Sequence, residues 1–394
     1  MDPDFSELTA ALDDAGHGGY LLDADSSLSN QRYLSGFDAS DPFLTLYTGG
    51  DIVVLTTTME YPRAREQSRA DVVRRFSDFD YRKRVETHGE ARARSLVIAD
   101  FLDAYEVTSV AVNRRFPLFV ADGLRDSGVT VEPDQDDVLE DIRARKHPEE
   151  IAHIREAQRA TEAAMEVTES LIRSASSDSG GRLVLEEEPV TSERVKTAIE
   201  RELLERGYAL DETIVASGTE SAVPHDRGSG PIHANEPIIV DIFPRSKSTQ
   251  YHADLTRTFV KGTPDPTIEE FYELTQEAKS AALEAIGPGV TGAEVHDAVC
   301  NVYEDAGYPT LRTDESTERG FVHGTGHGVG LDIHERPRLA SAGPELAPGN
   351  VVTIEPGLYD PEVGGVRIED LVVVTDDGFE NLTEYEETLC VSEE

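Results

Sequence analysis

The chain has 394 residues, with 36 Lys and Arg against 78 Asp and Glu, which gives a net charge of -42. This length exceeds the size at which a single hydrophobic core stops growing, so we expect two domains. Nucleic-acid binding is excluded because it requires a basic face, and acidic residues occur in nearly every segment. Such a negative surface repels itself unless salt screens it, which predicts a cytoplasm with very high salt, as in a halophile.

Cysteine content and hydropathy indicate the compartment. Cys300 and Cys390 are too few for a disulfide framework, so a reducing environment is expected. The chain begins with an acidic segment rather than a basic leader, and it has no apolar run of about 18 residues that could cross a membrane. We therefore expect a cytoplasmic protein without a membrane partner.

The first part of the chain alternates strand-like and helix-like segments, which predicts an α/β domain over residues 1–140. The predicted strands lie at 19–22, 43–47, 51–55 and 107–112, and the predicted helices at 5–14 and 91–105. The segment from Tyr33 to Phe37 is expected to be a loop or turn. This domain contains no cluster of metal-binding residues in its sequence.

A polar segment near residues 134–148 precedes a second domain, predicted over residues 141–394. Helices are expected at about 148–172 and 192–205, with a Ser/Gly-rich and then acidic flexible insertion at about 174–188 between them. Strands at 237–243 and 253–260 should form a hairpin, and later strands lie at 351–356 and 365–374. The pattern indicates an α+β domain with an antiparallel sheet covered by helices.

Four carboxylates and one imidazole stand out in the second domain: Asp241, Asp254, His327, Glu355 and Glu369. An unpaired carboxylate inside an apolar strand is costly, so these acids need a partner or a metal. Judged alone, Asp241 could instead end a strand or cap a turn. Together the five residues have the donor atoms that suit two adjacent Mn²⁺, Co²⁺, Fe²⁺ or Zn²⁺ ions.

A glycine-rich run, Gly324-Thr-Gly-His-Gly-Val-Gly, surrounds His327. It lacks the Gly-Lys-Ser/Thr ending of a phosphate-binding loop and the Gly-x-Gly-x-x-Gly spacing of a dinucleotide site. We interpret its glycines as backbone that passes close to a bound group. His323 and His334 flank this run and His225 precedes it, and clusters of histidines often mark functional sites.

With these motifs the sequence resembles the pita-bread metallopeptidases, which include methionine aminopeptidase, Xaa-Pro aminopeptidase, Xaa-Pro dipeptidase and creatinase. Residues 1–140 resemble the creatinase-type N-terminal α/β domain, with Tyr33-Leu-Ser-Gly-Phe similar to its usual motif, and residues 141–394 resemble the α+β pita-bread catalytic domain. The extra N-terminal domain and Arg367 resemble the proline-specific and creatinase-like branch. The resemblance implies two divalent metal ions, Mn or Co before Zn or Fe, a peptide substrate and a homodimer.

The same resemblance implies a role for each matching residue. Asp241 would bind one metal, His327 and Glu355 would bind the other, and Asp254 and Glu369 would bridge both. The positions that match catalytic residues of the family are His225, His323, His334, Glu355 and Arg367. Among these, Glu355 is the expected proton shuttle.

One departure from the family pattern concerns the first two aspartates. The family usually has Asp-x-Gly and ten intervening residues, whereas here Asp241 is followed by Ile-Phe-Pro and twelve residues intervene. An extension of two residues preserves strand parity, so a longer loop including Arg245 can still leave Asp241 and Asp254 on one face. The departure bears on substrate preference more than on the metal site.

The sequence thus predicts a dinuclear-metal peptidase that hydrolyses the Xaa-Pro amide bond at the N-terminus of peptides or in dipeptides. Another C–N hydrolase on the same scaffold, creatinase-like or acting on a compatible solute, is the alternative. A non-catalytic pita-bread binding module is disfavoured because such a module has no reason to keep five metal-binding residues.

Overall fold

A computed structural model describes residues 3–392 of the protein. Met1, Asp2, Glu393 and Glu394, at the outer ends of the two predicted domains, lie outside the described residues. The chain divides into two compact units, Met1–Arg143 and Ala144–Glu394. Within residues 3–392, no helix is both long and apolar enough to cross a membrane.

The first unit is built on a six-stranded sheet. Its strands are β1 (Gly19–Ala24), β2 (Phe43–Thr48), β3 (Asp51–Thr56), β4 (Val72–Arg75), β5 (Ser109–Val112) and β6 (Thr130–Pro133). Its helices are α1 (Ser6–Ala15), α2 (Ser29–Ser35), α3 (Tyr61–Gln67), α4 (Tyr81–His88), α5 (Glu90–Asp103), α6 (Leu118–Asp126) and α7 (Val138–Ala144). The strand order is β4-β3-β2-β1-β5-β6, and β2 runs antiparallel to both neighbours whereas the other pairs are parallel.

The four strands and two helices predicted for this unit are confirmed, with ends that differ by one or two residues. The expectation of a loop or turn at 33–37 was wrong in part, because Tyr33 to Ser35 form the last turn of α2. Gly36 ends that helix with φ of 65°, a conformation that favours glycine. Tyr33 and Phe37 are buried, so this motif serves packing within the unit.

The second unit combines long helices with antiparallel sheets. Its helices are α8 (Pro148–Ser174), α9 (Ser192–Glu205), α10 (Pro266–Ala285) and α11 (Gly292–Asp305). Its strands are β7 (Ser176–Ser177), β8 (Leu183–Leu185), β9 (Glu188–Pro189), β10 (Tyr208–Ala209), β11 (Thr213–Ser217), β12 (Ile238–Ile242), β13 (Arg245–Ser246), β14 (Leu255–Phe259), β15 (Gly326–Gly328), β16 (Glu335–Leu339), β17 (Val351–Ile354), β18 (Gly357–Asp360), β19 (Gly364–Arg367), β20 (Asp370–Thr375) and β21 (Gly378–Asn381).

Two helix pairs cover two sheets of this unit. Helices α8 and α9 pack on the sheet β11-β12-β14 through a core that contains Ile199 and Val240. Helices α10 and α11 pack on the sheet β16-β15-β17-β20-β21 through a core that contains Val299 and Val352. Each sheet therefore has one apolar face turned to its helices, and polar groups are left to the other face.

The segment expected to be a flexible insertion has regular structure instead. Strands β7, β8 and β9 form a small antiparallel sheet over residues 176–189. Leu183 is fully buried in the core beneath α8 and α9, and its N–H donates to the Ile232 carbonyl O at 2.8 Å. The short apolar run Leu183–Leu185 explains the difference, because its burial outweighs the polar composition around it.

Candidate metal centre

Successive side chains of β12 and β14 point alternately to the face of the sheet that packs on the helices and to the opposite face. Ile238, Val240 and Ile242 pack against the helices, so Asp241 points to the opposite face. The connection from β12 to β14 contains β13, which pairs with β10, and it brings Asp254 into the same pocket as Asp241. The two-residue extension therefore leaves both carboxylates on one face, as its even length predicts.

The other three predicted ligands come from the second sheet. His327 lies in β15, Glu355 directly follows β17, and Glu369 directly precedes β20. A Cβ atom on Gly326 would overlap the Thr353 carbonyl O, so glycine is what lets β15 approach β17 this closely. Gly324 and Gly326 also line the cavity that contains His327, so the interpretation of these glycines as backbone close to a bound group stays a prediction.

Three of the five predicted ligands form a compact buried group. One potential ligand atom from each of Asp254, His327 and Glu369 lies within 4.8 Å of the other two. His327 Nε2 is also 3.3 Å from Glu355 Oε1 and 3.7 Å from Asp254 Oδ2. Asp241 lines the same pocket, whose volume is about 640 Å³. The fold thus brings all five side chains to one cavity.

A hydrogen-bond chain links Asp241 to His323. Arg367 donates from Nη2 to Asp241 Oδ2 at 2.6 Å and from Nη1 to the Tyr359 hydroxyl at 3.1 Å. His323 Nδ1 lies 2.8 Å from the Gly324 carbonyl O, which requires a proton on Nδ1, so Nε2 accepts the Tyr359 hydroxyl proton at 2.9 Å. The sequence analysis missed Tyr359, because a tyrosine in a strand is usually a packing residue and only its buried hydroxyl shows this connection.

Burial determines the electrostatics of the cluster. Burial, followed by repulsion from neighbouring carboxylates, raises the pKa of Asp254 and that of Glu369 well above their usual ranges. Burial also raises the pKa of Glu355 to about 7, against the opposing effect of Arg367. The pKa of His327 falls to about 3, mainly because burial disfavours the imidazolium. The protein alone therefore disfavours the ionised form of every one of these groups.

Several buried oxygens of the cluster have no hydrogen-bond donor among residues 3–392: Oδ1 of Asp241, Oδ1 of Asp254 and Oε1 of Glu369. Buried acceptors without a donor are costly, whereas a divalent cation would satisfy them and offset the carboxylate charge. Carboxylate oxygens with one imidazole nitrogen are a donor set that suits Mn²⁺, Co²⁺, Fe²⁺ or Zn²⁺. The residues present therefore fit divalent metal ions.

The remaining predicted histidines line the cavity. The His334 ring lies edge-to-face against the His327 ring, with centroids 4.3 Å apart. Partial desolvation at the cavity wall, followed by the nearby Arg338, lowers the pKa of His334 although the residue is partly exposed, which favours the neutral imidazole. His225 lines the same cavity. Both histidines thus stand beside the carboxylate cluster.

The cavity wall includes residues that sequence reasoning did not single out: Glu212, Ile214, Pro224, Arg227, Phe243, Ile333 and Arg338. Phe243 follows Asp241 by two positions, which turns both side chains to one side of the chain. The Arg227 guanidinium lies 6.0 Å from the centre of the Phe243 ring and forms an ion pair with Glu212. The sequence did contain a signal for Phe243, because the departure from Asp-x-Gly places phenylalanine at the position where the family usually has glycine.

Comparison with known proteins decides the family. The model described as metallopeptidase family M24 matches residues 152–376, and the model of the creatinase/prolidase N-terminal domain matches residues 5–145. The chain belongs to metallopeptidase family M24. The resemblance drawn from the motifs is thereby confirmed, including the creatinase-type N-terminal domain.

Individual relatives of this M24 protein cover nearly its whole length. It is 31% identical to the Xaa-Pro dipeptidase of Pyrococcus furiosus over 91% of this chain and 92% of that relative. The prolidase structure from Pyrococcus horikoshii OT3 is similar with 27% identity and a TM-score of 0.79, over 97% of this chain and 98% of the other. The Xaa-Pro dipeptidase structure from Bacillus anthracis shares 26% identity with a TM-score of 0.80, over 98% of each chain. The predicted fold, an α/β creatinase-like domain with an α+β pita-bread domain, is confirmed.

Asp254→Asn is expected to weaken divalent-metal binding because the amide keeps the side-chain shape but loses the charge. The loss should be at least about tenfold to hundredfold, the range that even partners outside the ligand shell produce. Isothermal titration of metal-stripped protein with Mn²⁺ in molar KCl measures it, and circular dichroism checks the fold. Asp376→Asn, an exposed acid in the turn after β20, is the matched control. Equal affinity in Asp254→Asn and the control would reject the site.

Proposed function

We propose that this M24 protein is a metal-dependent peptidase that hydrolyses the amide bond before proline, in dipeptides or at the N-terminus of peptides. The observation that carries the proposal is the convergence of five side chains on one cavity: Asp241, Asp254, His327, Glu355 and Glu369. Two relatives that match over more than nine-tenths of both chains are Xaa-Pro dipeptidases, which supports the same substrate class.

Two divalent ions are the proposed cofactors. Mn²⁺ or Co²⁺ is preferred over Zn²⁺ or Fe²⁺. Asp241 would hold one ion, His327 and Glu355 would hold the other, and Asp254 and Glu369 would hold both. When bound, such ions lower the pKa of water and polarise the scissile carbonyl. The four carboxylates supply negative charge that offsets two divalent cations.

Glu355 is proposed to move the proton from the attacking water to the leaving nitrogen. Its Oε1 accepts a hydrogen bond from the Thr353 hydroxyl at 3.3 Å and faces His327, which leaves Oε2 to take up and release the proton. His225 and His334 are proposed to donate hydrogen bonds to the charge that develops on the carbonyl oxygen. Both line the cavity, where a donor already in position needs little reorganisation.

His323 and Arg367 act on the cluster through the contacts that they already make. Arg367 fixes Asp241 Oδ2, and the Tyr359 hydroxyl between Arg367 and His323 fixes the guanidinium in turn. A buried arginine with several acceptors holds a carboxylate in one orientation. We propose that this chain orients Asp241 toward its metal.

The cavity offers complementary groups for the proline ring and for the carboxylate of an Xaa-Pro dipeptide. A proline amide has no N–H, so its recognition must rely on ring shape, and Ile214, Phe243 and Ile333 supply apolar wall. Arg338 is exposed on the cavity wall, and its guanidinium forms no hydrogen bond or ion pair with the described residues, so it is available to bind the substrate carboxylate.

The function is tested with a substrate panel in molar KCl. Metal-loaded protein should release proline from Ala-Pro and Leu-Pro, cleave Ala-Ala much more slowly and leave creatine intact, and a chelator should abolish turnover. Proline release is followed with ninhydrin. Turnover of creatine alone would replace the proposal with an amidinohydrolase, and inertness of metal-loaded protein toward every substrate would overturn it.

Arg338→Gln should weaken binding of substrates that end in a carboxylate. The KM for Ala-Pro is expected to rise roughly tenfold to hundredfold, the equivalent of one hydrogen bond to a charged group of about 1.5–3 kcal/mol. Ala-Pro amide, which lacks the charge, is the internal control and should show little change. Equal changes for both substrates would mean that Arg338 does not bind the carboxylate.

We also propose that the protein forms a homodimer. In the first unit Met59, Leu118 and Phe119 are 70%, 71% and 62% exposed, and large exposed apolar side chains commonly mark protein interfaces. Sedimentation equilibrium in high salt tests this state, and a single species with the mass of one chain would reject it.

We further propose a cytoplasm with very high salt, on the basis of the net charge of -42. The melting temperature should rise with KCl because screening reduces carboxylate repulsion. Most of the rise should occur as the Debye length falls from about 10 Å at 0.1 M salt to about 3 Å at 1 M. Differential scanning calorimetry measures the effect, with equiosmolal sucrose as control. A melting temperature that does not change with KCl would contradict this proposal.

A further inference from the structure

A buried ion pair joins Lys146 to Glu335, the residue that directly follows the cavity histidine His334. Lys146 Nζ is 2.5 Å from Glu335 Oε1, and the two side chains are 1% and 6% exposed. Buried ion pairs lose much hydration energy, so they are weak evidence for a stabilising role. This pair joins residues 189 positions apart and therefore calls for another explanation.

Glu335 directly follows His334 and ties down the loop that carries it. Its second oxygen, Oε2, accepts a long hydrogen bond from the Asp332 backbone N–H at 3.4 Å. The Asp332 carbonyl O in turn accepts a hydrogen bond from the Gly330 N–H at 3.0 Å. One carboxylate thus connects both sides of the turn on which His334 sits.

The glycine-rich run makes room for this arrangement. A Cβ atom on Gly330 would overlap the Glu335 carboxylate, and one on Gly328 would overlap the Arg336 carbonyl O. The same run carries His327, the ring against which His334 packs. The glycines beyond His327 therefore bring the loop of His334 close to that imidazole.

Lys146 is itself held firmly by the segment before β17. Its backbone N–H donates to the Gly349 carbonyl O at 2.9 Å. Asn350 Nδ2 donates to the Ala144 carbonyl O at 2.9 Å, and Arg145 forms a β-bridge with Asn350. The ammonium of Lys146 is therefore a fixed point from which the loop can be held.

We propose that Lys146 is a positioning residue that holds His334 over the cavity through Glu335. This inference rests on the proposed function, because it assumes that His334 acts on the peptide substrate. His334 is an exposed residue whose ring packs edge-to-face against the His327 ring. The buried ion pair supplies the rigid support that an exposed loop lacks.

Kinetics of single and double variants test the coupling. Lys146→Met should lower kcat/KM for Ala-Pro about tenfold to hundredfold, mainly in kcat, because a displacement of about 1 Å has effects of this size. In a His334→Ala background the same substitution should change kcat/KM less than about twofold, since both variants act through one imidazole. An equal loss with and without His334 would overturn the proposal.

Replacing both Lys146 and Glu335 by methionine distinguishes an effect on the position of His334 from an effect on protein stability. Lys146→Met alone removes the ammonium that faces the buried Glu335 carboxylate and should lower the melting temperature. Lys146→Met with Glu335→Met removes both charges and should restore the melting temperature, while kcat/KM stays low. Recovery of kcat/KM together with the melting temperature would show that the pair serves stability alone.

Hydrogen exchange provides a readout that does not depend on activity. In Lys146→Met the backbone amides of residues 332–336 should exchange faster. In the control Arg312→Met, which breaks ion pairs with Asp297 and Glu304, these amides should not change. If the wild-type protein hydrolyses no Xaa-Pro substrate, the proposed function fails, and exchange still tests the support of the loop. Unchanged exchange in Lys146→Met would overturn the positioning role.

Discussion

Repulsion among buried carboxylates is the constraint on which the second unit depends. Asp241, Asp254, Glu355 and Glu369 lie in or next to four different strands, and burial raises the pKa values of Asp254, Glu355 and Glu369. Hydrogen bonds and ion pairs within the protein offset only part of the cost of burying these carboxylates. Arg367 binds Asp241, and the Thr256 hydroxyl donates to Glu369 Oε2 at 2.7 Å. Among residues 3–392, three carboxylate oxygens of the cluster still have no hydrogen-bond donor, and divalent cations would satisfy them.

The fold tolerates the cost of burying these carboxylates because the apolar and the acidic side chains lie on opposite faces of each sheet. Helices cover the apolar faces with large cores, so the opposite faces can carry acids without loss of the hydrophobic contacts that stabilise the unit. Acids placed at strand ends, such as Asp254, Glu355 and Glu369, leave most ladder hydrogen bonds of their strands intact. The scaffold is therefore rigid where the cluster needs a fixed geometry.

Residues remote in sequence complete the site through buried polar contacts. Tyr359 connects His323 with Arg367, and Lys146 meets Glu335 beside the loop of His334. These contacts matter because a hydrogen bond in a low-dielectric interior fixes orientation more strongly than one in water. Acidic residues outnumber basic ones over the whole chain, 78 to 36, and added salt weakens the repulsion between exposed charges.

The sequence by itself determined the side on which Asp241 and Asp254 lie, because strand period and parity are local properties. The family and its fold class followed from the resemblance of the motifs around the five ligands. It could not reveal the sheet at Leu183, whose burial depends on distant residues. Ligand roles remain predictions, although the five side chains meet in one cavity. Only the tertiary structure decided that Tyr359 contacts Arg367, that Arg338 lines the cavity and that Lys146 pairs with Glu335, because such contacts join segments that no local sequence pattern relates.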